Sequence, residues 1–274
     1  MGFNQKVFNM KKYLVIGNPI NHSLSPKLHN YWIKLNNIDA VYEKKEIEER
    51  DIQSVIRGIK NGEIEGINVT VPFKKSVIPF LDDLENLAKK TQSVNTIYKK
   101  NNKIIGANTD IKGFSFALEH INHKVKGKKI FILGAGGVTP SIIFALKEMN
   151  ASTIMLSNRT KEKAENLKKL FPYLDLVKWG DIKDFDIIIN ATSLGLKDND
   201  KIQINYDKIG SGKFFYDVIY KPKKTNFLAE AEKNGNQIEN GQMMFAYQAQ
   251  LAFKIWTGTL PPINKKVLEL LEND

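Results

Sequence analysis

Ile130-Phe131-Ile132-Leu133-Gly134-Ala135-Gly136-Gly137, read with Ser157-Asn158-Arg159-Thr160 further along, decides the fold. An apolar run ends in a glycine-rich turn and passes into a helix-like segment. Gly134 permits the tight turn and Gly136 lets the backbone approach a pyrophosphate. The helix N-terminus adds N–H donors and positive potential. Pro140 falls in the first helical turn, where a missing N–H costs little. Strand 129–133, helix 138–149, strand 153–157 and helix 160–170 then make one βαβ arrangement with short connections. Two further apolar runs, at 186–190 and 214–218, reach polar residues near their ends, as parallel strands do when their carboxyl ends line a crevice. Helices are expected at 224–234, 241–258 and 264–271.

The strand after the glycine turn's helix ends at Ser157-Asn158-Arg159. A unit that binds NAD places an acidic residue here to hold the ribose 2′-hydroxyl. An arginine repels nothing on a 2′-phosphate and pairs with it, so the residues point to NADP. Thr160 and Lys163 follow directly. The plainer alternative is that Arg159 is a solvated residue at a helix start. Thr192, in Asn190-Ala191-Thr192-Ser193, leaves a strand where the nicotinamide half would lie, although an ordinary Asx or Ser turn reads the same way.

The glycine turn begins near the middle of the chain, so the preceding half is expected to hold the substrate. That half reads as an α/β unit. Strands are expected at 13–17, 41–45 (an edge) and 66–71, with a hairpin of 94–98 and 103–107 over Asn101-Asn102. Helices are expected from Ser25-Pro26, with serine as N-cap, and at 48–61, 74–80, 83–91 and 111–121. Ser23 and Ser25 place two hydroxyls at a helix N-terminus, a site for a carboxylate, though Ser25 also serves as a plain cap. Asn68 and Thr70 face the same way along their strand, and Lys74 follows Pro72. Asp110 follows another strand. An ammonium and a carboxylate at neighbouring strand ends can handle a proton while a hydride reaches a carbonyl carbon. Spacing alone does not show that the two meet. His22 and His29 lack carboxylates at ligand spacing, so no metal site is expected. His120 and His123 read as exposed.

Composition sets the limits. The 274 residues, 42% hydrophobic, suit one large or two ordinary domains. No run approaches the roughly 18 apolar residues of a membrane helix. Residues 1–12 carry Lys6, Lys11 and Lys12 without an apolar core, so no signal peptide is expected. With no cysteine and no membrane signal, a cytoplasmic place follows by default. The formal charge of +11 raises nucleic acid as a partner, but the lysines are scattered and the arginines are three: Arg50, Arg57 and Arg159. No nucleic-acid partner is expected.

Taken in order, these segments resemble the shikimate dehydrogenase family over nearly the whole chain. The likeness runs through Ser23-Leu24-Ser25-Pro26, Asn68-Val69-Thr70-Val71-Pro72-Phe73-Lys74, Ser93-Val94-Asn95-Thr96 and Asn108-Thr109-Asp110-Ile111-Lys112-Gly113. It continues through the Gly134 turn, Asn158-Arg159-Thr160, Asn190-Ala191-Thr192-Ser193, Asp217-Val218-Ile219-Tyr220 and Asn240-Gly241-Gln242-Met243-Met244, ending near Trp256-Thr257-Gly258. The resemblance implies reversible NADPH-dependent reduction of 3-dehydroshikimate to shikimate, on the route to chorismate and the aromatic amino acids. It implies that Lys74 and Asp110 are the catalytic pair, that Ser23 and Ser25 hold the substrate carboxylate, and that Thr70, Asn95, Gln248 and Tyr220 contact the ring. It assigns Gly134, Ala135, Gly136, Gly137, Val138, Asn158, Arg159, Thr160 and Lys163 to the dinucleotide, with Thr192, Val218 and Gly241 near the nicotinamide.

The implied architecture is α/β with two domains: a substrate domain of 1–110 and 242–274, and a Rossmann NADP-binding domain of 111–241. The C-terminal helices return because Gln248 must reach the substrate. A monomer or homodimer is expected. Lys163 stands where the family often has arginine, and Val138-Thr139-Pro140 replaces smaller residues. The rivals are a quinate/shikimate dehydrogenase preferring NAD, a folate-linked dehydrogenase of similar architecture, and a non-catalytic NADP or shikimate sensor.

Overall fold

The computed structural model describes residues 10–197 and 200–272. Most of the opening stretch read as lacking a signal peptide therefore lies outside the described residues. Two six-stranded sheets organise the rest.

The first sheet is built from β1 (Lys11–Gly17), β2 (Ala40–Glu46), β3 (Gly66–Val69), β4 (Asp83–Leu84), β5 (Thr96–Lys100) and β6 (Lys103–Ala107), in the order β2-β1-β3-β5-β6-β4. β1 runs parallel to β2 and β3, whereas β5 is antiparallel to β3 and β6. The β5–β6 hairpin turns on Asn101 and Asn102, both in the left-handed region (φ 49° and 61°), which asparagine tolerates. Helices α1 (Ser25–Leu35), α2 (Ile52–Lys60) and α3 (Asn86–Thr91) surround this sheet.

The second sheet comprises β7 (Lys129–Leu133), β8 (Thr153–Ser157), β9 (Asp175–Val177), β10 (Ile187–Asn190), β11 (Phe214–Asp217) and β12 (Gln237–Glu239). Every pairing is parallel, in the order β12-β11-β10-β7-β8-β9. This is the doubly wound arrangement, and its switch point lies between β10 and β7, at the glycine turn. Helices α5 (Thr139–Glu148), α6 (Lys161–Leu170), α7 (Tyr206–Ile209) and α8 (Asn226–Lys233) connect the strands. Ile130, Ile132, Ile187 and Ile189 face a core shared with Ile142, Leu146 and Leu156. Phe131, Ile188 and Phe215 face a second core on the other side. Burial on both faces explains why these strands read as continuous apolar runs.

Between the sheets run α4 (Asp110–His120) and α9 (Gln242–Thr257), followed by α10 (Lys265–Glu272). α9 divides its apolar residues. Met243 and Met244 join the core of the second sheet, while Phe245, Ala249 and Phe253 pack with Tyr13, Leu28 and Trp32 beside the first. Trp256 anchors its far end, donating from Nε1 to the Ile97 carbonyl (3.2 Å) and stacking on Tyr13.

Several local expectations need correction. α1 starts at Ser25, with Leu24 as the flanking residue, so Ser25 is not the cap. The free Ser25 N–H is met by Ser23 Oγ at 3.3 Å. Residues 74–80 form turns and one 3₁₀ turn (Ile78–Phe80) rather than a helix, since Pro72 and Pro79 interrupt the ladder. The next segment spends Asp83 and Leu84 on a parallel pairing with β6, so α3 begins only at Asn86. The helix expected at 48–61 opens with a 3₁₀ turn. β9, α7 and β12 were not expected, being only three or four residues long. His120 is exposed, but His123 is half-buried and stacks on Phe214 with centroids 3.7 Å apart.

Candidate active site

The carboxyl ends of both sheets open into one cleft of about 540 Å³. On the first-sheet side, β3 ends at Val69 and releases Thr70, and the chain then turns to bring Lys74 back under the strand ends. β6 ends at Ala107, and Asn108 turns the chain into α4. Asn108 Oδ1 accepts from the backbone N–H of Asp110 (3.1 Å) and Ile111 (3.4 Å), so this side chain caps the helix that Asp110 begins.

The two turns bring Lys74 and Asp110 together. Lys74 Nζ donates to Asp110 Oδ2 at 2.6 Å, and the side chains are 9% and 5% exposed. Burial at that level makes the pair depend on its surroundings. Asp110 Oδ1 accepts from Asn95 Nδ2 (2.9 Å), which also lies within reach of Thr109 Oγ1 and Gln248 Oε1. The α4 N-terminus adds positive potential to the carboxylate. Behind them, Tyr42 Oη donates to Asn68 Oδ1 (2.7 Å), and Asn68 Nδ2 bonds the Asn95 carbonyl and Thr96 Oγ1. Asn68 is thus buried and hydrogen-bonded on both sides of its amide, holding Asn95 and the start of β5.

Ser23 and Ser25 face the same cleft from the start of α1. Tyr220, on the loop after β11, reaches across and bonds the backbone of Leu24. Burial pushes its hydroxyl up to about 12, so it stays a neutral hydrogen-bonding group. His22 nearby is held below the ordinary histidine range by burial, then by Lys44 and Lys221. Gln248 projects from α9.

On the second-sheet side, Gly134 takes φ +104°, a conformation that favours glycine. The turn is pinned by Gly134 N–H to the Ser157 carbonyl (2.8 Å), Ala135 N–H to Asn158 Oδ1 (2.9 Å), and Thr139 Oγ1 to the Gly134 carbonyl (2.9 Å). The nearest atom to a Cβ placed on Gly136 is the Ala191 carbonyl oxygen at 3.5 Å, so the backbone there fronts open space. Arg159, Thr160 and Lys163 are exposed at one end of the cleft.

On the other side of the glycine turn, after β10, Thr192 Oγ1 donates to Asn190 Oδ1 (2.7 Å). Asn190 Nδ2 donates to Asp217 Oδ1 (3.0 Å). Burial lifts Asp217 to about 6, against the bonds it accepts from Thr225, the Ile219 backbone and Asn190. Val218 and Gly241 line the wall beside it.

All twenty residues singled out from the sequence line this cleft. Among the described residues lining it, Asp110 is the one carboxylate, and it is paired with Lys74. An open cradle at Gly136, with Arg159 and Lys163 beyond it, fits an anionic dinucleotide. Among the described residues no cluster could hold a metal ion. The sequence reading gave no role to Trp179, His22, Leu194, Leu196, Met244 or Phe245, which also line the cleft. These come from loops and one helix face whose approach depends on tertiary packing. Asn68, Ser93 and Asn108 lay inside quoted motifs, but only their partners reveal what they do.

Comparison with known proteins gives the same picture. Residues 15–97 match the profile of the shikimate dehydrogenase substrate binding domain, and residues 116–205 match that of the shikimate / quinate 5-dehydrogenases. A shikimate dehydrogenase (NADP(+)) of Pelagibacter ubique is 57% identical over 262 residues, covering 96% of this chain and 99% of that protein. The crystal structure of shikimate dehydrogenase from Aquifex aeolicus superposes with a TM-score of 0.89 at 40% identity, covering 97% of this chain and 98% of the other. The Thermus thermophilus shikimate 5-dehydrogenase in complex with NADP(H) and shikimate gives 0.86 at 29% identity, covering 96% and 98%.

Proposed function

The chain belongs to the shikimate dehydrogenase family, and from that premise we propose how its cleft reduces 3-dehydroshikimate to shikimate. It is an NADP-dependent oxidoreductase acting on a CH–OH group. The observation that carries the residue roles is the buried Lys74–Asp110 pair, sited between two serine hydroxyls and an open glycine turn.

Ser23 and Ser25 hold the substrate carboxylate at the start of α1, where helix N–H groups add to the attraction. Thr70, Asn95, Gln248 and Tyr220 hold the ring and fix which hydroxyl, or which carbonyl, faces Lys74. NADPH, when bound along Gly134–Val138 and the positions Asn158, Arg159, Thr160, Lys163, Thr192, Val218 and Gly241, supplies the hydride. Lys74 Nζ delivers the proton to the carbonyl oxygen as the carbon is reduced, so one carbonyl becomes one CH–OH. Asp110 Oδ2 holds the ammonium in place, and Asn95 holds Asp110 through its other oxygen. In the reverse direction neutral Lys74 takes the hydroxyl proton.

We take the substrate domain to comprise 1–110 with 242–274, and the cofactor domain 111–241. The packing of Phe245, Ala249 and Phe253 beside the first sheet supports the return of the tail. A cytoplasmic protein, monomeric or homodimeric and without a nucleic-acid partner, is in keeping with this reading. No described helix is long and apolar enough to cross a membrane.

The test is a matrix of shikimate and quinate against NADP and NAD, assayed at 340 nm. Turnover should be highest with shikimate and NADP. Preference for NAD or quinate would favour the rival oxidoreductase, and binding without turnover would make the protein a sensor.

A further inference from the structure

Ser93 lies between α3 and β5, is 2% exposed, and touches neither ligand in the reading above. Its groups and those of its neighbour nevertheless reach three parts of the machinery. Ser93 Oγ donates to the carbonyl of Gly137, in the dinucleotide turn, at 2.9 Å. The Ser93 carbonyl accepts from Asn108 Nδ2 at 3.0 Å, and Asn108 Oδ1 caps the helix that starts with Asp110. The adjoining Val94 N–H donates to the backbone carbonyl of Lys74 at 2.8 Å. Lys74 itself lies along the turn: a Cβ on Gly137 would be 3.6 Å from its stem. One further buried bond crosses here, Asn108 Nδ2 to Ser141 Oγ of α5 at 2.9 Å.

The hydride donor is seated by the second sheet and the proton donor by the first. Two groups set by separate cores must be registered to a fraction of an ångström for transfer. The core behind β1, β3 and β5 and the core behind β7 and β10 are distinct. Registration therefore needs a link between the glycine turn and the Lys74–Asp110 pair, and the bonds at Ser93 run between those two places.

We propose that Ser93 is a positioning residue through which the dinucleotide turn sets the placement of the Lys74–Asp110 pair, so that cofactor and substrate bind cooperatively. When the pyrophosphate seats on the turn, the Gly137 carbonyl is fixed, and Ser93 is fixed with it. Ser93 and Val94 in turn hold the cap of Asp110 and the backbone of Lys74, and lead directly into Asn95. The substrate then meets an assembled site and does not have to order it. The reverse holds equally, because coupling between two sites is reciprocal.

This inference rests on the functional reading above, and the test separates the two. NADP⁺ and 3-dehydroshikimate are both oxidised, so together they form a ternary complex without turnover. NADP⁺ affinity is measured by calorimetry with the full chain, with and without saturating 3-dehydroshikimate. Wild type should bind NADP⁺ roughly fivefold or more tightly with the ketone present. Ser93→Ala should bind each ligand alone within about twofold of wild type, while the coupling falls below about twofold and kcat falls about tenfold. Ser93→Thr, which keeps the hydroxyl, should recover coupling. Ser141→Ala, which removes the second crossing bond from the other side, should lose part of it; Ser93→Cys, whose thiol is only a weak donor, should lose most of it and serves if Ser93→Ala does not fold. Wild-type coupling retained in folded Ser93→Ala, or in Ser93→Cys where that variant stands in, would overturn the proposal. So would binding of both ligands by wild type without coupling. Failure of wild type to bind either ligand would overturn the functional reading as well.

Discussion

Replacing Gly241 with alanine should cost activity far more than it costs cofactor affinity, and the structure gives the scale. A Cβ on Gly241 would stand 2.1 Å from the Val218 carbonyl oxygen and 2.6 Å from its carbon. Carbon and carbonyl oxygen need roughly 1 Å more than that. Neither side gives way locally. Val218 N–H is bound to the Asn190 carbonyl at 3.0 Å, and Ile219 N–H to Asp217 Oδ1 at 3.0 Å. Gly241 N–H donates to the Ile219 carbonyl at 3.1 Å, and the Gly241 carbonyl accepts from Phe245 N–H at 2.9 Å. The loop after β11 and the first turn of α9 must therefore separate by about 1 Å, carrying Val218 and Tyr220 away from Phe245 and Gln248.

Overpacking of this kind costs about 1–3 kcal/mol of stability, or a fall of several degrees in Tm for a chain of this size. A displacement of about 1 Å at a reacting centre costs about 10²-fold in rate. Arg159 and Lys163 lie at the far end of the cleft and are untouched, so Kd for NADP⁺ should change by less than about fivefold. The assay is kcat/KM for shikimate oxidation, beside a fluorescence titration of NADP⁺ and a thermal melt. A variant within about threefold of wild-type kcat/KM would refute the reasoning, because it would mean the wall beside Val218 does not set the reacting geometry.

Lys74→Ala should lower kcat by about 10²–10⁴-fold, the usual worth of a positioned acid–base group. It should also lose about 3–5 kcal/mol of stability in urea, because Asp110 would be left buried without its cation. Turnover like that of wild type would remove Lys74 from the chemistry. Arg159→Ala should raise KM for NADP about tenfold and leave KM for NAD unchanged, since an exposed guanidinium pairs only with a 2′-phosphate; an equal rise for both would assign Arg159 elsewhere. Asp217, lifted to about 6 from 3.8, holds its proton more firmly folded than unfolded. Its contribution is therefore fully present below about pH 4 and is lost as pH rises through 6, by an amount on the order of 3 kcal/mol. Urea melts of wild type and Asp217→Asn at pH 4.5 and 7.5 should show wild type gaining relative to the variant at the lower pH. A difference independent of pH would contradict that.

Much of this was legible because the residues concerned act locally. The glycine turn, its paired strands and the α5 helix are contiguous in sequence, and their apolar runs reflect a sheet covered on both faces. The Asn101-Asn102 hairpin follows from turn chemistry alone. What escaped was set by distant partners. Asp83 and Leu84 became a strand because β6 offers them an edge, and β9 and β12 are edges of three residues, too short to carry a periodic signal. His123 looked solvated among Asn122 and Lys124, yet Phe214 lies beneath its ring. Lys74 and Asp110 are 36 residues apart, and the residues alone could not show that they touch. The resemblance to a family supplied that pairing, and the structure supplies its 2.6 Å geometry.

The distribution of charge along the cleft explains how two anionic ligands come to meet at their uncharged parts. At one end, Ser23 and Ser25 offer hydroxyls at the start of α1, where the helix N-terminus adds positive potential; at the other, Arg159 and Lys163 stand beyond the glycine turn. In the middle, Lys74 and Asp110 cancel. β11 and β8 are three strand spacings apart, roughly 14 Å, with the glycine turn of β7 between them. On the proposed reading, a carboxylate is drawn to one end and a 2′-phosphate to the other, and the ring carbonyl and the hydride donor then face each other over the neutral pair. On that reading an unpaired cation in the middle would draw either anion out of place, and an unpaired carboxylate would repel both. On that reading the ion pair at the centre does two things: it keeps a proton donor at the carbonyl, and it keeps net charge away from the point where the ligands align.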